Sequence, residues 1–174
     1  MRGHTLLELL IAMALAAILL ALGTPGLAWL ALDARRTADV NGFVTAIQLA
    51  RSESAKRARE VVVCKTADTL RCGDAAIDYD SGWMVFVDED GDRPPERDPD
   101  EELLFHYLPV AEGSIRSNRA SYVFRPFYTR STNGTVVFCD RRGAAAARAV
   151  IVSYTGRPRV ASTTASGRPL ACGP

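Results

Sequence analysis

Two arginines near the C-terminus, Arg157 and Arg159, are spaced so that they could bind phosphate groups. They lie in the segment 154–160, where Gly156 permits a turn and Pro158 stiffens the chain. In an extended segment, alternation would direct both arginines to the same side. Two guanidinium groups held in this way match phosphates about one nucleotide apart, and arginine binds phosphate through two parallel hydrogen bonds. A solvated hairpin tip without a ligand is the alternative, and both interpretations remain open.

Other arginines could extend this surface. They are Arg148, Arg168, Arg141 and Arg142. Residues 103–174 hold ten arginines against Glu112 and Asp140, a net charge of +8, whereas residues 88–102 hold nine acids against two arginines, a net charge of −7. Such segregation of charge favours an electrostatic role. Binding through phosphates alone would not depend on base sequence and would weaken steeply with salt.

A single carboxylate, Glu8, lies at the leading edge of an apolar run that extends from Thr5 to Leu22. A stretch of about 20 apolar residues can cross the hydrocarbon core of a bilayer as a helix. A carboxylate at the centre of such a span costs about 2–3 kcal/mol, and less near the interface. Glu8 is therefore a candidate functional residue. A plain membrane anchor and an ordinary secretory signal, cut near Ala28 or Ala31, are the alternatives.

Catalytic motifs are absent from the sequence. It contains no nucleophile elbow, phosphate-binding loop or zinc-protease motif, and its histidines are His4 and His106. We therefore predict a protein that is not an enzyme, with no catalytic residue, metal site or cofactor. The carboxylates at residues 88–92 could hold calcium, but their order does not match an EF-hand. A solvated hairpin turn with Asp-Gly at its tip is the favoured interpretation of this segment.

Four cysteines indicate disulfides, provided that this part of the chain lies in an oxidising compartment. They are Cys64, Cys72, Cys139 and Cys172. No Cys-x-x-Cys pair exists, so we do not expect a zinc site. Three connectivities are possible. We favour Cys64–Cys72, which closes a short loop, with Cys139–Cys172, which holds the C-terminus; buried free thiols are the alternative.

The elements that must position these residues are one long helix and a set of short strands. Apolar residues continue at helical spacing beyond the first run, at Val40, Phe43, Val44, Ile47 and Ala50. This pattern predicts a helix that reaches about Arg59 and whose second half packs on a head domain. Six apolar runs separated by turn-forming residues predict strands. The runs are 61–63, 83–87, 103–105, 122–124, 136–138 and 150–152.

The segment from Arg2 to Glu8 resembles the class III prepilin signal of type IV pilins and type II secretion pseudopilins. In that family a dedicated peptidase cuts after a glycine on the cytoplasmic side, and the fifth residue of the mature chain is glutamate. The resemblance implies cleavage between Gly3 and His4. It also implies that Glu8 neutralises the N-terminal amine of a neighbouring subunit during assembly. The sequence departs from the family at His4, where phenylalanine is usual.

Two further segments are similar to the branch of minor pilins typified by FimT, FimU and GspH. Residues 49–57 resemble the end of the long helix in that branch. Residues 156–159 resemble the Gly-Arg-x-Arg motif that FimT-type minor pilins use to bind DNA in natural transformation. The resemblance, closest to FimT, implies a minor type IV pilin that binds extracellular double-stranded DNA. The alternative is a GspH- or FimU-like protein with a structural role in a pilus or a type II secretion pseudopilus.

The same resemblance implies an α+β, pilin-like fold, with a long N-terminal helix on a small antiparallel β-sheet head with two disulfides. The expected parts are a leader (1–3), a transmembrane half-helix (4–32), a head-packed half-helix (33–59) and a β-rich head (60–174). The expected partners are other pilins or pseudopilins, prepilin peptidase, the inner membrane and double-stranded DNA. The expected location is the inner membrane, single-pass with the head in the periplasm, and the cell surface after assembly.

Overall fold

A computed structural model describes residues 5–127 and 130–173 of the chain, without the side chains of residues 21–25. The chain divides into two compact units, Met1–Arg35 and Arg36–Pro174. A single long helix begins in the first unit and ends in the second. The predicted combination of a long N-terminal helix with antiparallel strands is therefore confirmed.

The first unit contains the N-terminal part of helix α1 (Leu6–Arg57). The hydroxyl of Thr5 accepts a hydrogen bond of 3.3 Å from the backbone N–H of Glu8, as an N-capping residue does. The leucines between Leu6 and Leu20 are exposed. In the part of the chain that the structure describes, no helix combines the length and the apolar character that a membrane crossing requires. The span at residues 4–32 stays a prediction.

The second unit is built around the C-terminal part of α1, which buries one face. This face contains the predicted residues Val40, Phe43, Ile47 and Ala50, and Val44 is partly buried beside them. The ring of Phe43 lies 5.5–6.1 Å, between centroids, from four aromatic rings in edge-to-face orientations. Such aromatic pairs stabilise a core beyond the apolar area that they bury. The four rings around Phe43 belong to Tyr79, Trp83, Tyr122 and Phe138.

Eight strands form two antiparallel sheets in the described residues, where the sequence predicted a single small sheet. One sheet has the order β3-β2-β1-β5 and the other the order β4-β6-β7-β8. All six predicted apolar runs lie in strands. The strands are β1 (Glu60–Lys65), β2 (Trp83–Asp88), β3 (Leu103–Tyr107), β4 (Gly113–Ser117), β5 (Ser121–Phe124), β6 (Gly134–Asp140), β7 (Arg148–Val152) and β8 (Pro158–Ala161).

Two strands, β4 and β8, were not predicted from the sequence. Both are edge strands, each paired with one neighbour only. Of the five residues of β4 only Ile115 is buried, and none of the four residues of β8 is buried. An edge strand that buries so little apolar surface lacks the run of hydrophobic residues by which strands are recognised. The segment after β7 is therefore part of a hairpin, whose second strand the sequence did not predict.

Each sheet has a second apolar cluster on the face turned away from the main core, and each cluster contains a disulfide. The bond Cys64–Cys72 lies beside Val62 and Met84 of the first sheet. The bond Cys139–Cys172 lies beside Ile151 of the second sheet. The structure thus contains the connectivity that we favoured. The outer faces of these small sheets are covered by disulfide-linked segments rather than by further layers of structure.

Candidate nucleic-acid interface

The arginine turn, residues 153–159, comprises the connection between β7 and β8 and the first two residues of β8. The N–H of Ser153 donates to the carbonyl of Arg157 over 3.1 Å, and the N–H of Gly156 donates to the carbonyl of Ser153 over 2.9 Å. The Ser153 hydroxyl also accepts a hydrogen bond of 3.2 Å from the N–H of Arg157. Residues of the turn itself therefore satisfy its backbone, and the arginine side chains are not needed for that purpose.

Gly156 is required in this turn for two separate reasons. Its φ of 71° lies in the left-handed region, which side chains other than glycine rarely adopt. A Cβ atom at this position would lie 2.8 Å from Cε1 of Phe124 and 3.0 Å from Oγ of Ser131. The glycine of the Gly-Arg-x-Arg pattern therefore lets the turn approach the aromatic ring at the end of β5.

Arg157 and Arg159 are both exposed, but they stand in different structural contexts. Arg159 lies in β8 opposite Ile151, which belongs to the outer cluster of the second sheet, so Arg159 is on the outer face. Arg157 precedes β8, which begins at Pro158. The prediction that the two arginines share one side assumed a continuous extended segment. Because Arg157 lies in the turn, strand alternation does not set its direction.

Arg157 lines two grooves together with residues of α1. The grooves have volumes of about 540 and 510 Å³, and they share Arg51, Ala55 and Arg157. Phe124 and Phe127 line the first groove, and Pro158 lines the second. The structure thus brings together two arginines that are distant in sequence. Arg51 was not among the predicted site residues, although it lies in the helix segment 49–57 that resembles the FimT, FimU and GspH branch.

Arg51 differs in its partners from other cations of the same helix, and Arg157 and Arg159 resemble Arg51 in this respect. Within the described residues, Arg51, Arg157 and Arg159 form no ion pair. Arg57, near the end of α1, contacts a carboxylate oxygen of Glu102 at 2.5 Å, and this hydrogen bond raises the pKa of its guanidinium group. An exposed guanidinium group without a carboxylate partner keeps its hydrogen-bond donors for a ligand.

Arg148 and Arg168, the other predicted members of the site, lie away from the arginine turn. Arg148 begins β7, whereas the turn follows the last residue of that strand. Its guanidinium donates to the carbonyl of Ala147 over 2.9 Å. Arg168 lies in a separate turn beyond β8, where its N–H donates to the hydroxyl of Thr164 over 3.0 Å. The structure therefore does not gather Arg148 and Arg168 into one cluster with the arginine turn.

Arg142 has a structural role in the described fold. It contacts a carboxylate oxygen of Asp140 at 2.6 Å, and the side chains of both residues are largely buried. Arg36 of α1 lies 4.0 Å from the same carboxylate. The hydrogen bond from Arg142 lowers the pKa of Asp140. This arrangement stabilises the β6–β7 connection, so Arg142 is not displayed on the surface as the sequence suggested. Arg141 is exposed beside it.

The acidic loop, residues 88–102, brings three carboxylates close together. Oxygen atoms of Asp88, Asp90 and Glu101 lie within 4.8 Å of one another. Asp88 accepts a hydrogen bond of 2.6 Å from the N–H of Gly91, and burial raises its pKa. Glu101 accepts hydrogen bonds of 2.7 and 3.0 Å from two backbone N–H groups of the loop. These hydrogen bonds give Asp88 and Glu101 a structural role, since they hold the backbone of the loop in its conformation.

The predicted processing and assembly residues are described only in part. Gly3 and His4, which flank the predicted cleavage site, lie outside the described residues. Glu8 lies in the first turn of α1 and is exposed. The roles of these three residues therefore stay predictions.

Two family models match the chain. Residues 39–156, more than half of its length, match the model described as type II transport protein GspH. Residues 1–24 match the prokaryotic N-terminal methylation motif. The chain belongs to the GspH family. The matches support a type IV minor pilin or pseudopilin. The family predicted from the leader and from the helix segment 49–57 is confirmed.

Solved structures similar to this GspH-family chain are two crystal forms of the type IV minor pilin FimU of Pseudomonas aeruginosa. Both are 16% identical to this chain and cover 79% of it. The TM-scores are 0.56 and 0.53, and 99% and 94% of the FimU chains are covered. At this identity the similarity establishes a shared pilin-like fold. No curated protein sequence matches the chain significantly.

Proposed function

We propose that this GspH-family protein is a minor type IV pilin of the FimT kind, which binds extracellular double-stranded DNA for uptake in natural transformation. It has no catalytic role. The observation that carries the proposal is the arginine turn, where Arg157 and Arg159 are exposed and form no ion pair in the described part of the chain. Arginine groups of this kind suit phosphate oxygens, which are the dominant contacts in DNA binding that ignores sequence.

The charge of the surrounding chain supports the same proposal. Residues 103–174 carry a net charge of +8, and Arg51 of the helix adds a cation at the grooves beside Arg157. Three further arginines lie in residues 103–174 outside the arginine turn. They would strengthen the attraction to a long polyanion without forming the primary contact. They are Arg141, Arg148 and Arg168. Affinity supplied by phosphate contacts falls linearly, on logarithmic scales, as salt concentration rises.

A mobility-shift experiment with the full-length protein in detergent tests this proposal. Two duplexes of unrelated sequence should bind with equal affinity at low salt. The double substitution Arg157→Ala with Arg159→Ala should lower the affinity at least tenfold and reduce the salt slope by about two, since each lost phosphate contact removes about one unit. Arg71→Ala is a matched control, because Arg71 is exposed in the Cys64–Cys72 loop.

Two results would contradict the proposal. One is the absence of any shift at low salt. The other is a shift that is equally strong in the double variant and in the wild-type protein. A loss of affinity in Arg71→Ala as large as in the double variant would show that total charge, rather than the arginine turn, governs binding.

The remaining parts of the proposal concern the N-terminus. We propose cleavage between Gly3 and His4 by prepilin peptidase, insertion of residues 4–32 in the inner membrane with the head in the periplasm, and pairing of Glu8 with the amine of a neighbouring subunit. The match to the methylation motif and the exposed leucines of α1 support this part. Mass spectrometry of the native protein would contradict it by finding Met1–Gly3 attached in a strain that trims its other prepilins.

A second candidate function is purely structural. In this alternative the chain is a GspH- or FimU-like subunit that contacts only protein in a pilus or a type II secretion pseudopilus. The match of residues 39–156 to the GspH model favours it. Neighbouring genes separate the two candidates, since competence and pilus genes favour DNA uptake and a secretion operon favours the structural role. Normal fibre assembly by the double arginine variant would show that these arginines are not needed for it.

A further inference from the structure

The loop after β5 displays an aromatic residue, Phe127, in an unusual way. Its side chain is 90% exposed, the largest fraction among the exposed hydrophobic residues of the described chain. Its φ of 62° lies in the left-handed region, which is rare for a bulky residue. Residues held in such conformations cluster at binding and catalytic sites. The exposure of its apolar ring and its left-handed backbone are both unfavourable in the free protein, as expected for a residue that contacts a ligand.

The base of this loop is fixed to the rest of the head. Arg125 is held by a carboxylate oxygen of Glu60 at 3.1 Å. On the other side of the loop, the N–H of Ser131 donates to the carbonyl of Tyr154 over 2.7 Å. The second contact joins the loop directly to the arginine turn. Phe127 is therefore displayed from a loop whose two ends are attached to folded structure.

Phe127 lines the same groove as the unpaired arginines Arg51 and Arg157. The groove volume of about 540 Å³ lies within the range of about 300–1,000 Å³ that is common for small-ligand pockets. The rest of its polar lining consists of the hydroxyl-bearing residues Ser54, Ser131 and Thr155 and of Arg125, which is paired with Glu60. An aromatic face beside guanidinium groups is the combination by which proteins bind single-stranded nucleic acid, where bases stack on rings and cations contact phosphates.

We propose that this groove binds an unpaired nucleotide of single-stranded DNA, with the base stacked on Phe127 and the flanking phosphates on Arg51 and Arg157. The proposal rests on the proposed DNA-binding function and adds a second form of DNA to it. In a duplex the faces of the bases are covered by their neighbours, so duplex DNA can use the arginines but not the aromatic ring. A frayed end or a single strand can use both.

Fluorescence anisotropy with the full-length protein in detergent separates the contribution of base stacking from that of the phosphate contacts. The probes are a 20-nucleotide oligothymidine, an abasic strand of the same length and backbone, and a 20-base-pair duplex. Since stacking on one aromatic residue contributes about tenfold or more to affinity, oligothymidine should bind about tenfold more tightly than the abasic strand. In Phe127→Ala this ratio should fall to about one, while duplex affinity stays within about twofold.

Two control variants complete the experiment. Phe127→Tyr retains an aromatic face and should keep the ratio near that of the wild-type protein. Leu108→Ala removes an apolar side chain that is 60% exposed elsewhere and should leave all three affinities unchanged. A retained ratio in Phe127→Tyr excludes general damage to the loop as the cause of the effect in Phe127→Ala.

The outcomes distinguish this inference from the function on which it rests. A ratio near one in the wild-type protein, with duplex binding that still depends on Arg157 and Arg159, would overturn the inference alone. If none of the three probes binds, both the inference and the proposed function fail. If Phe127→Ala prevents incorporation into the fibre but leaves the ratio unchanged, the groove contacts a neighbouring subunit, which also overturns the inference.

Discussion

The acidic loop at residues 88–102 and the arginine turn at residues 153–159 both concentrate charge of one sign. They differ in whether the charged side chains form hydrogen bonds within the fold. In the acidic loop the buried carboxylates of Asp88 and Glu101 accept hydrogen bonds from backbone N–H groups of the same loop. In the arginine turn the backbone is satisfied by Ser153 and by other main-chain groups. The guanidinium groups take no part in holding that turn.

The difference shows that charge density is a poor guide to function unless the partners of each charge are known. A carboxylate that satisfies buried N–H groups stabilises the structure and has few lone pairs left for a cation. An exposed guanidinium group that stabilises nothing costs little to retain and is available to an anion. On this reasoning the acidic loop is a structural element, and we propose that the arginine turn is a binding element. Four substitutions test the distinction.

The largest loss of stability is expected on substitution of Asp140. This residue forms a buried contact with Arg142, an arginine of the basic residues 103–174. Asp140→Asn should lower the free energy of unfolding by about 3 kcal/mol at neutral pH, because it removes the carboxylate that Arg142 and Arg36 share in a buried site. The pKa of Asp140 is lowered by Arg142, so this contribution is present above the unfolded pKa of about 4. It is lost as the pH falls through the lower folded value.

Urea denaturation of both proteins between pH 7 and pH 2 measures this difference. The gap between wild type and Asp140→Asn should be constant from about pH 7 to pH 5 and should shrink below about pH 4. A gap that widens in acid would contradict the assignment, since it would require a raised pKa for Asp140 in the folded state.

A somewhat smaller effect is expected in the acidic loop. Glu101→Ala should cost about 2–3 kcal/mol, because the backbone N–H groups of Glu89 and Asp98 lose their acceptor in a largely buried site. Asp100→Ala is the matched control, since its exposed side chain makes no contact of this kind within the described residues. Chemical denaturation measures both changes. Equal and small effects in the two variants would show that the loop does not depend on Glu101.

The next largest loss of stability is expected where the arginine turn approaches Phe124 closely. Gly156→Ala should cost about 2 kcal/mol, since the new Cβ atom meets both a left-handed backbone and the ring of Phe124. Gly143→Ala should cost about 1 kcal/mol, because Gly143 has a similar φ of 75° but no atom within 4 Å of the added Cβ. Thermal unfolding gives the difference. Equal costs would mean that the packing against Phe124 contributes nothing.

The smallest effect is expected for the arginine on which the proposed function depends. Arg157→Ala should change the free energy of unfolding by less than about 0.5 kcal/mol, because its exposed side chain forms no ion pair in the described part of the chain. Denaturant titration, in parallel with the DNA-binding assay, checks this. A loss of stability above about 1 kcal/mol would remove the contrast between the two regions.

Much of the fold could be predicted from the sequence, because it depends on local patterns. The spacing of Val40, Phe43 and Ile47 indicated the buried face of the helix, and the six strongly apolar runs indicated six of the strands. The strands β4 and β8 could not be found in this way. As edge strands with little buried surface they are determined by pairing with β6 and β7, and pairing between distant segments leaves no periodic signal in one sequence.

The candidate site likewise has one part that could be predicted from the sequence and one part that could not. The glycine and the two arginines of residues 156–159 form a short motif that the sequence displays directly. The proximity of Arg51 and Phe127 to that motif does not appear in the sequence, because these residues lie on α1 and on the loop after β5. The exclusion of Arg142 from the surface could not be predicted either, since it depends on a buried contact with Asp140.

The sequence by itself determined the family, the long helix, the apolar strands and the presence of a glycine-arginine motif. Each of these is encoded within a short window of residues, where spacing and side-chain type suffice. Only the tertiary structure decided which charges are satisfied internally and which are exposed without an ion-pair partner in the described residues. That distinction depends on distances between residues far apart in the chain, and a hydrogen bond or an ion pair forms only when the fold brings its two partners together.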